Sequence, residues 1–429
     1  MSNKAEDRAM QSADKRALVP KLRFPEFRDA GEWEEIRLGD FLSESRLPGS
    51  KGNVAKKITV KLWGNGVFAK NEALQGSVNT QYFRRKSGQF IYSKLDFLNQ
   101  AFGVIPPSLD NFESTVDLPC FDIADGLNSV FLLEYVKRRD FYEKLGETAD
   151  GSRKARRIHA ETFLSFSIAL PAPAEQQKIA DCLASLDERI TLEAQKLGTL
   201  KTHKKGLMQQ LFPAEGETLP KLRFPEFRVA GEWEEVRLGD VCERIMDGTH
   251  FSPKSKSGPR LYLTSKNIQN GAIDLSNISY ISDEEHQQIY ERCPVKQHDV
   301  LLTKDGANTG NCALNNIDFE FSLLSSVAVL RGNPLLLEQR FIYQLILADR
   351  TQKTIQESMS GQAITRITLE KIGNFSVSIT GISEQQKIAD CLTSLDDLIT
   401  AQTQKLIALK THKKGLMQQL FSNPEDLKL

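Results

Sequence analysis

Residues 20–40, PKLRFPEFRDAGEWEEIRLGD, return at 220–240 as PKLRFPEFRVAGEWEEVRLGD, changed at two positions. EQQKIADCLASLDERIT at 175–191 returns at 384–400 as EQQKIADCLTSLDDLIT, and KTHKKGLMQQLF stands unchanged at 201–212 and 410–421. The segments between these blocks differ in length by nine residues and look unrelated at first sight. A chain that runs constant, variable, constant, twice over, folds one plan twice, and this limits the architecture before any single element is read. With 429 residues, 40% hydrophobic and 26% charged, there is material for two or three globular domains, and neither a disordered nor a membrane class fits.

The second constant block reads as a long helix. In 175–211, apolar residues fall at Ile179, Leu183, Leu186, Ile190, Leu197, Leu200, Leu207 and Leu211, in alternating steps of four and three, with Glu193 and Lys204 in the gaps. The copy has Ile388, Leu392, Leu395, Ile399, Leu406, Leu409, Leu416 and Leu420, with Gln402 and Lys413 in its gaps. Two such seams predict helices that zip together, and the globular segment between them lets the second return antiparallel to the first. At ~1.5 Å per residue each spans roughly 55 Å. The polar gaps are expected to set register, and Gly206 and Gly415 to weaken the last turn or two.

A seam needs only apolar residues at the right spacing, yet the exposed positions are identical as well. Duplication alone explains identity, but it predicts even decay, and the variable segments have drifted far. The contrast points to a partner that docks on both helix copies, two copies of one subunit. The candidate contacts are Gln176, Gln177, Lys178, His203, Lys204, Lys205, Met208 and Gln209 in the first helix. Gln385, Gln386, Lys387, His412, Lys413, Lys414, Met417 and Gln418 are their counterparts in the second.

The variable segments keep a common order of landmarks beneath their divergence. ITVKLWGNG at 58–66 matches YLTSKNIQNG at 262–271, setting Lys61 over Lys266 and Asn65-Gly66 over Asn270-Gly271. QFIYSK at 89–94 matches DVLLTK at 299–304, each an apolar strand ending in a lysine, Lys94 or Lys304. RIHAE at 157–161 matches RITLE at 366–370, and each precedes an alternating strand. These are two versions of one α/β domain, each with one helical stretch, near 129–145 and 335–357.

Fixed frame and exchangeable faces are what a two-part DNA reader needs: phosphate contacts position a protein, and side chains at base edges choose the sequence. Shared cations are then phosphate contacts, namely Lys61, Lys94 and Arg157 with their counterparts Lys266, Lys304 and Arg366. Basic clusters join them: Arg84, Arg85 and Lys86; Arg153, Lys154 and Arg156; Lys254, Lys256 and Arg260. Residues that differ between the segments are the candidate readers: Asn99 and Gln100 in the first, Asn267, Asn308, Thr309 and Asn311 in the second. Taken singly, an Asn-Gly pair is an ordinary turn and a lysine after a strand an ordinary solvated cation; the matched set carries the argument. The formal net charge of zero argues against nucleic acid coating the whole surface, while the charge is unevenly placed along the chain.

Catalytic motifs are missing. An adenine methylase needs an (N/D)-P-P-(Y/F) tetrapeptide and a glycine-rich cofactor turn, and a motor needs G-x-x-x-x-G-K-(S/T); GANTGNCA at 306–313 lacks the lysine. PEDLK at 424–428 sits in a polar tail and is not read as a nuclease motif. Six cysteines without a C-x-x-C pair are expected to be reduced thiols, with no metal site. No run approaches the ~18 apolar residues of a spanning helix, and a cytoplasmic protein is expected.

The paired EQQKIADCL…SLD helices, the KKGLMQQLF endings, the GEWE…LGD openings and the two divergent segments resemble the specificity subunit of type I restriction-modification systems. The resemblance covers 18–422. It implies an α/β (α+β) fold with two pseudo-repeated target-recognition domains, separated by two long conserved helices pairing as an antiparallel coiled coil. The expected blocks are a tail at 1–19, a first recognition domain at 20–174, and a central helix at 175–212. A linker and second recognition domain follow at 213–383, then a C-terminal helix at 384–422 and a polar tail at 423–429. It further implies a bipartite, interrupted double-stranded DNA target, two methyltransferase subunits whose helices pack on the spacer helices, and two motor-nuclease restriction subunits. S-adenosylmethionine, ATP and Mg would belong to those partners, and this chain would be non-catalytic. Arg153 to Arg157 make the first domain's loop more basic than GQAIT at 361–365, which suggests unequal grip on DNA. A coiled-coil scaffold, or a DNA-binding module without restriction partners, is the alternative.

Overall fold

The computed structural model describes residues 18–70, 76–146, 157–359 and 366–422. They fall into two compact units, Met1–Glu193 with Leu406–Leu429, and Ala194–Lys405. Each unit therefore combines one variable segment with part of both long helices. The blocks read from sequence keep the helices apart from the domains instead.

In the first unit a four-stranded sheet runs in the order Leu42–Glu44, Cys120–Ile123, Phe90–Tyr92, Phe102–Val104. The second unit repeats that order as Cys242–Asp247, Val327–Gly332, Val300–Thr303, Cys312–Leu314. Three of the four inner strands, FIY, VLLT and VAVLRG, are buried throughout, while Cys120–Ile123 is buried only at Cys120 and Phe121. In the first unit the rings of Tyr92, Phe97, Phe121 and Phe163 pack together, with Tyr92 and Phe163 centroids 4.8 Å apart. The constant GEWE block forms a strand that closes each unit. Glu34–Arg37 pairs antiparallel with Ser167–Leu170, and Glu234–Arg237 with Ser376–Ile379.

The two constant blocks of each cycle are bonded to each other. Arg23 forks onto Glu175, and its Nη1 also donates to the Ala30 and Gly31 carbonyls. Arg223 does the same to Glu384, Ala230 and Gly231. Lys178 reaches Glu26 at 2.9 Å and Lys387 reaches Glu226 at 3.4 Å.

The long helices are Pro173–Leu211 and Ile382–Leu420, 39 residues each. Gly206 and Gly415 interrupt neither; packing of the apolar face outweighs a cost of about 1 kcal/mol per glycine. Within the first unit, Ile179 and Leu183 share a core with Leu420 and Phe421, and Lys413 Nζ lies 2.7 Å from Asp187 Oδ2. Within the second, Met208 and Leu211 share a core with Ile388 and Leu392, and Lys204 Nζ lies 2.6 Å from Asp396 Oδ1. The helices thus meet antiparallel in both units. The gap lysines of the seam are ion-paired with the opposite helix. All six cysteines are free thiols, and no helix is long and apolar enough to cross a membrane among the described residues.

Candidate nucleic-acid interface

The landmarks aligned by sequence occupy equivalent places. Ile158 N donates to Lys94 O, and Ile367 N donates to Lys304 O. Lys57 bridges Glu113 in parallel, as Tyr262 pairs with Ser322. Gly66 and Gly271 both have φ of 88°, the left-handed region a glycine reaches without strain, so both Asn-Gly pairs are turns.

In each unit the segment around or just beyond the first landmark lysine lies against the loop of candidate readers. Trp63 N donates to Asn99 O at 2.7 Å and Gly64 N to Gln100 O at 2.9 Å. In the second unit, Asn308 Nδ2 donates to Ser265 O and Asn311 Nδ2 to Ile268 O. Lys61 and Lys266 are exposed beside these junctions. Trp63 and Gln100 are left-handed without being glycine, at φ of 60° and 54°, and Trp63 is 62% exposed. Backbone in a sparsely populated region and a large exposed aromatic ring, side by side, are features of a functional loop. In sequence an Asn-Gly pair signals only a turn, and the bulky Trp63 beside it is the feature that marks this one out.

Three other candidates, Lys304, Arg85 and Asn267, do not fit their assigned roles. Lys304 is 1% exposed, with its ammonium 3.3 Å from the buried carboxylate of Asp247, and cannot reach a phosphate. Arg85 is 2% exposed and spends its guanidinium on Ser114 Oγ and the carbonyls of Ser45, Thr115 and Leu118. Asn267 is buried, accepting from Thr264 N and donating to Asp274 O. Their positions match those of surface residues in sequence, but the sheet and turn geometry turns them inward. Thr309 caps its own turn at Gly306 O. Arg260 pairs with Asp283, Arg157 with Asp117 and Arg366 with Asp305, all at least partly exposed. Arg84, Lys86, Lys254 and Lys256 are exposed, and Lys94 is half-buried. Arg153, Lys154 and Arg156 lie outside the described residues.

A cleft of about 500 Å³ opens beside Thr264 in the second unit, rimmed by Lys256 and Tyr280. Its wall includes Tyr262, 7% exposed, whose hydroxyl has no hydrogen-bond partner among the described residues and whose phenol burial pushes up to about 12. The loop over it is pinned by Glu285, which accepts from Lys254 N at 2.6 Å and Ser255 N at 3.1 Å. Lys57 holds the matching place in the first unit, so this position differs where the frame is shared.

The helix residues proposed for a partner divide in two. Gln176 and Gln385 are fully buried: Gln176 binds Asn128 N and the Gly126 and Pro171 carbonyls, Gln385 binds Glu338 N and the Leu336 and Thr380 carbonyls. Gln177 holds the Asn128 side chain, and Lys178 and Lys387 are paired as described. Lys204 and Met208 are buried, and Lys413 and Met417 half-buried, in the helix contacts. These residues are identical because they build the frame. Gln386, His203, Lys205, Gln209, His412, Lys414 and Gln418 remain exposed. Among the described residues no cluster of His, Cys, Asp or Glu is placed to hold a metal.

Two units of one topology, with equivalent frames and unlike loops, define a tandem recognition protein. The family model for the type I restriction modification DNA specificity domain matches residues 129–202 and 230–411, more than half of the chain, which belongs to that family. The type I restriction enzyme MjaVIII specificity subunit of Methanocaldococcus jannaschii is 22% identical over 422 residues, covering 94% of this chain and 93% of its own. The crystal structure of the type I restriction-modification S subunit from M. genitalium superposes with a TM-score of 0.59 at 15% identity, over 94% of this chain and 99% of that one. A second solved structure, described under complex assembly and conformational transition of the type I restriction-modification system, gives 0.51 at 17% identity, over 92% and 98%. The chain is a type I specificity subunit, the component that recognises the DNA target.

Proposed function

We propose that each unit reads one half of an interrupted double-stranded DNA site, and that the chain delivers methyltransferase and restriction subunits to it, two of each. The observation that carries this reading is the pair of sheets with one strand order and differing loops at the Lys61 and Lys266 turns. Exposed Lys61, Lys266, Arg157 and Arg366 serve as phosphate contacts, which position without choosing. Trp63 and Gln100 in the first unit, and Tyr262 with Asn308 and Asn311 in the second, choose bases. Tyr262 is recessed, so it meets only a group that protrudes into the cleft, such as an extruded base or a base methyl.

Catalysis belongs to the partners: S-adenosylmethionine serves the methyltransferase subunits in adenine-N6 methylation, and ATP and Mg the restriction subunits. The chain itself contributes target choice in the cytoplasm. Mapping methylated adenines in genomic DNA with and without this gene, its methyltransferase being present, tests the proposal. One interrupted motif that appears only with the gene is expected. Methylation by the purified chain alone, or methylation without a motif, contradicts it.

A further inference from the structure

The twelve residues shared by the two long helices meet a carboxylate of their own chain in the second unit and a cation in the first. In the second unit Gln209 Nε2 donates to Asp349 Oδ2 at 2.7 Å, and Lys205 Nζ lies 3.7 Å from Asp349 Oδ1. Asp349 is the first residue of the helix Asp349–Met359. The corresponding helix of the first unit, Arg139–Gly146, begins with an arginine. Lys414 and Gln418, the counterparts of Lys205 and Gln209, thus share their surroundings with a cation where their copies hold a carboxylate.

Those surroundings form a cleft of about 1210 Å³ in the first unit. Residues 137–139 on its wall are Lys-Arg-Arg, where the second unit has Leu347, Ala348 and Asp349. The acids in the cleft are already engaged: Glu134 by Lys137 and Lys413, Asp140 by Arg138, Glu143 by Arg139, and Asp187 by Lys413. Lys410 and Lys414 are left without an acidic partner among the described residues. Arg138, 7% exposed, keeps its Nη1 without a hydrogen-bond acceptor among the described residues.

We infer that this cleft receives a carboxylate side chain from a partner protein, the group that Asp349 supplies internally in the second unit. The two helix copies then offer unequal docking surfaces, one open and cationic, one self-satisfied. The inference rests on the docking role proposed above for the partner's identity; the chemistry rests on the Asp349 contacts alone.

The test titrates the full chain with a fluorescent short glutamate peptide at low salt. One site per chain is expected. Arg139→Asp, which installs the second unit's arrangement, should weaken binding by about tenfold or more. Asp349→Arg removes the internal carboxylate and should give a second site per chain at Lys205 and Gln209, weaker than the first because Leu347 and Ala348 stand where the first unit has Lys137 and Arg138. Both positions are exposed, and unchanged melting curves verify that the variants fold. No saturable binding, binding indifferent to Arg139→Asp, or no second site from Asp349→Arg overturns the inference. Displacement of the peptide by an unlabelled DNA duplex overturns it as well, by assigning the cleft to nucleic acid. If the peptide behaves as expected and the methyltransferase binding is untouched by Arg139→Asp, the carboxylate site stands and only the docking role fails.

Discussion

Arg23 holds Glu175 through two parallel bonds, Nε to Oε1 at 2.7 Å and Nη2 to Oε2 at 2.6 Å, and these two residues lie 152 positions apart. The fork ties the start of the unit to the start of its long helix, and Arg223 and Glu384 repeat it. Both side chains are largely withdrawn from water, so removing one strands the other. Glu175→Ala is expected to cost about 3 kcal/mol in chemical denaturation of the first unit's transition. A loss below about 0.5 kcal/mol, the scale of an exposed pair, contradicts that role.

Acid should act on the first unit through Glu134. Burial lifts its carboxyl, but the neighbouring Lys137 and Lys413 ammoniums outweigh that and hold it below the usual range. A depressed folded pKa contributes stability above the unfolded value of about 4.3, and the contribution fades as pH falls through the folded value. The second unit has Gln344 at this position. Glu134→Gln should therefore lower stability at neutral pH and flatten the further loss below about pH 4. Equal acid losses in the two proteins contradict the assignment.

Lys266 and Lys304 were matched to Lys61 and Lys94 on the same grounds, yet they should behave differently. Lys266→Ala should weaken binding to cognate and unrelated duplexes alike, and flatten the salt dependence by about one unit. Lys304→Ala leaves Asp247 buried beside an empty space, so it should reduce thermal stability and leave the salt slope of the folded fraction unchanged. A reduced slope for Lys304→Ala would place that lysine on DNA after all.

Tyr262→Phe removes one hydroxyl that the protein does not use. The fold should be unaffected, and methylation mapping should show relaxed choice at one position in one half of the target. An unchanged motif methylated at an unchanged rate shows that the hydroxyl meets only water.

The sequence made the duplication, both long helices and the landmark alignment legible, because repeats and seam spacing are local patterns. Lys94 and Lys304 do sit at equivalent places, as aligned. Side-chain direction was not legible: Lys304 and Arg85 are polar letters that turn inward to partners distant in the chain, Asp247 and Ser114, and Asn267 turns inward to its own loop at Thr264 and Asp274. Identity in the EQQK block was read as a partner's footprint, whereas Gln176 and Gln385 owe it to carbonyls that they hold within their own units. No periodicity reports a contact made across such a separation.

Exchanging residues 41–174 for the equivalent segment of a relative, followed by methylome sequencing with the methyltransferase present, tests the two-reader account most directly. The account predicts that one half of the methylated motif changes while the other half stays as it was. A motif altered in both halves, or in neither, contradicts it.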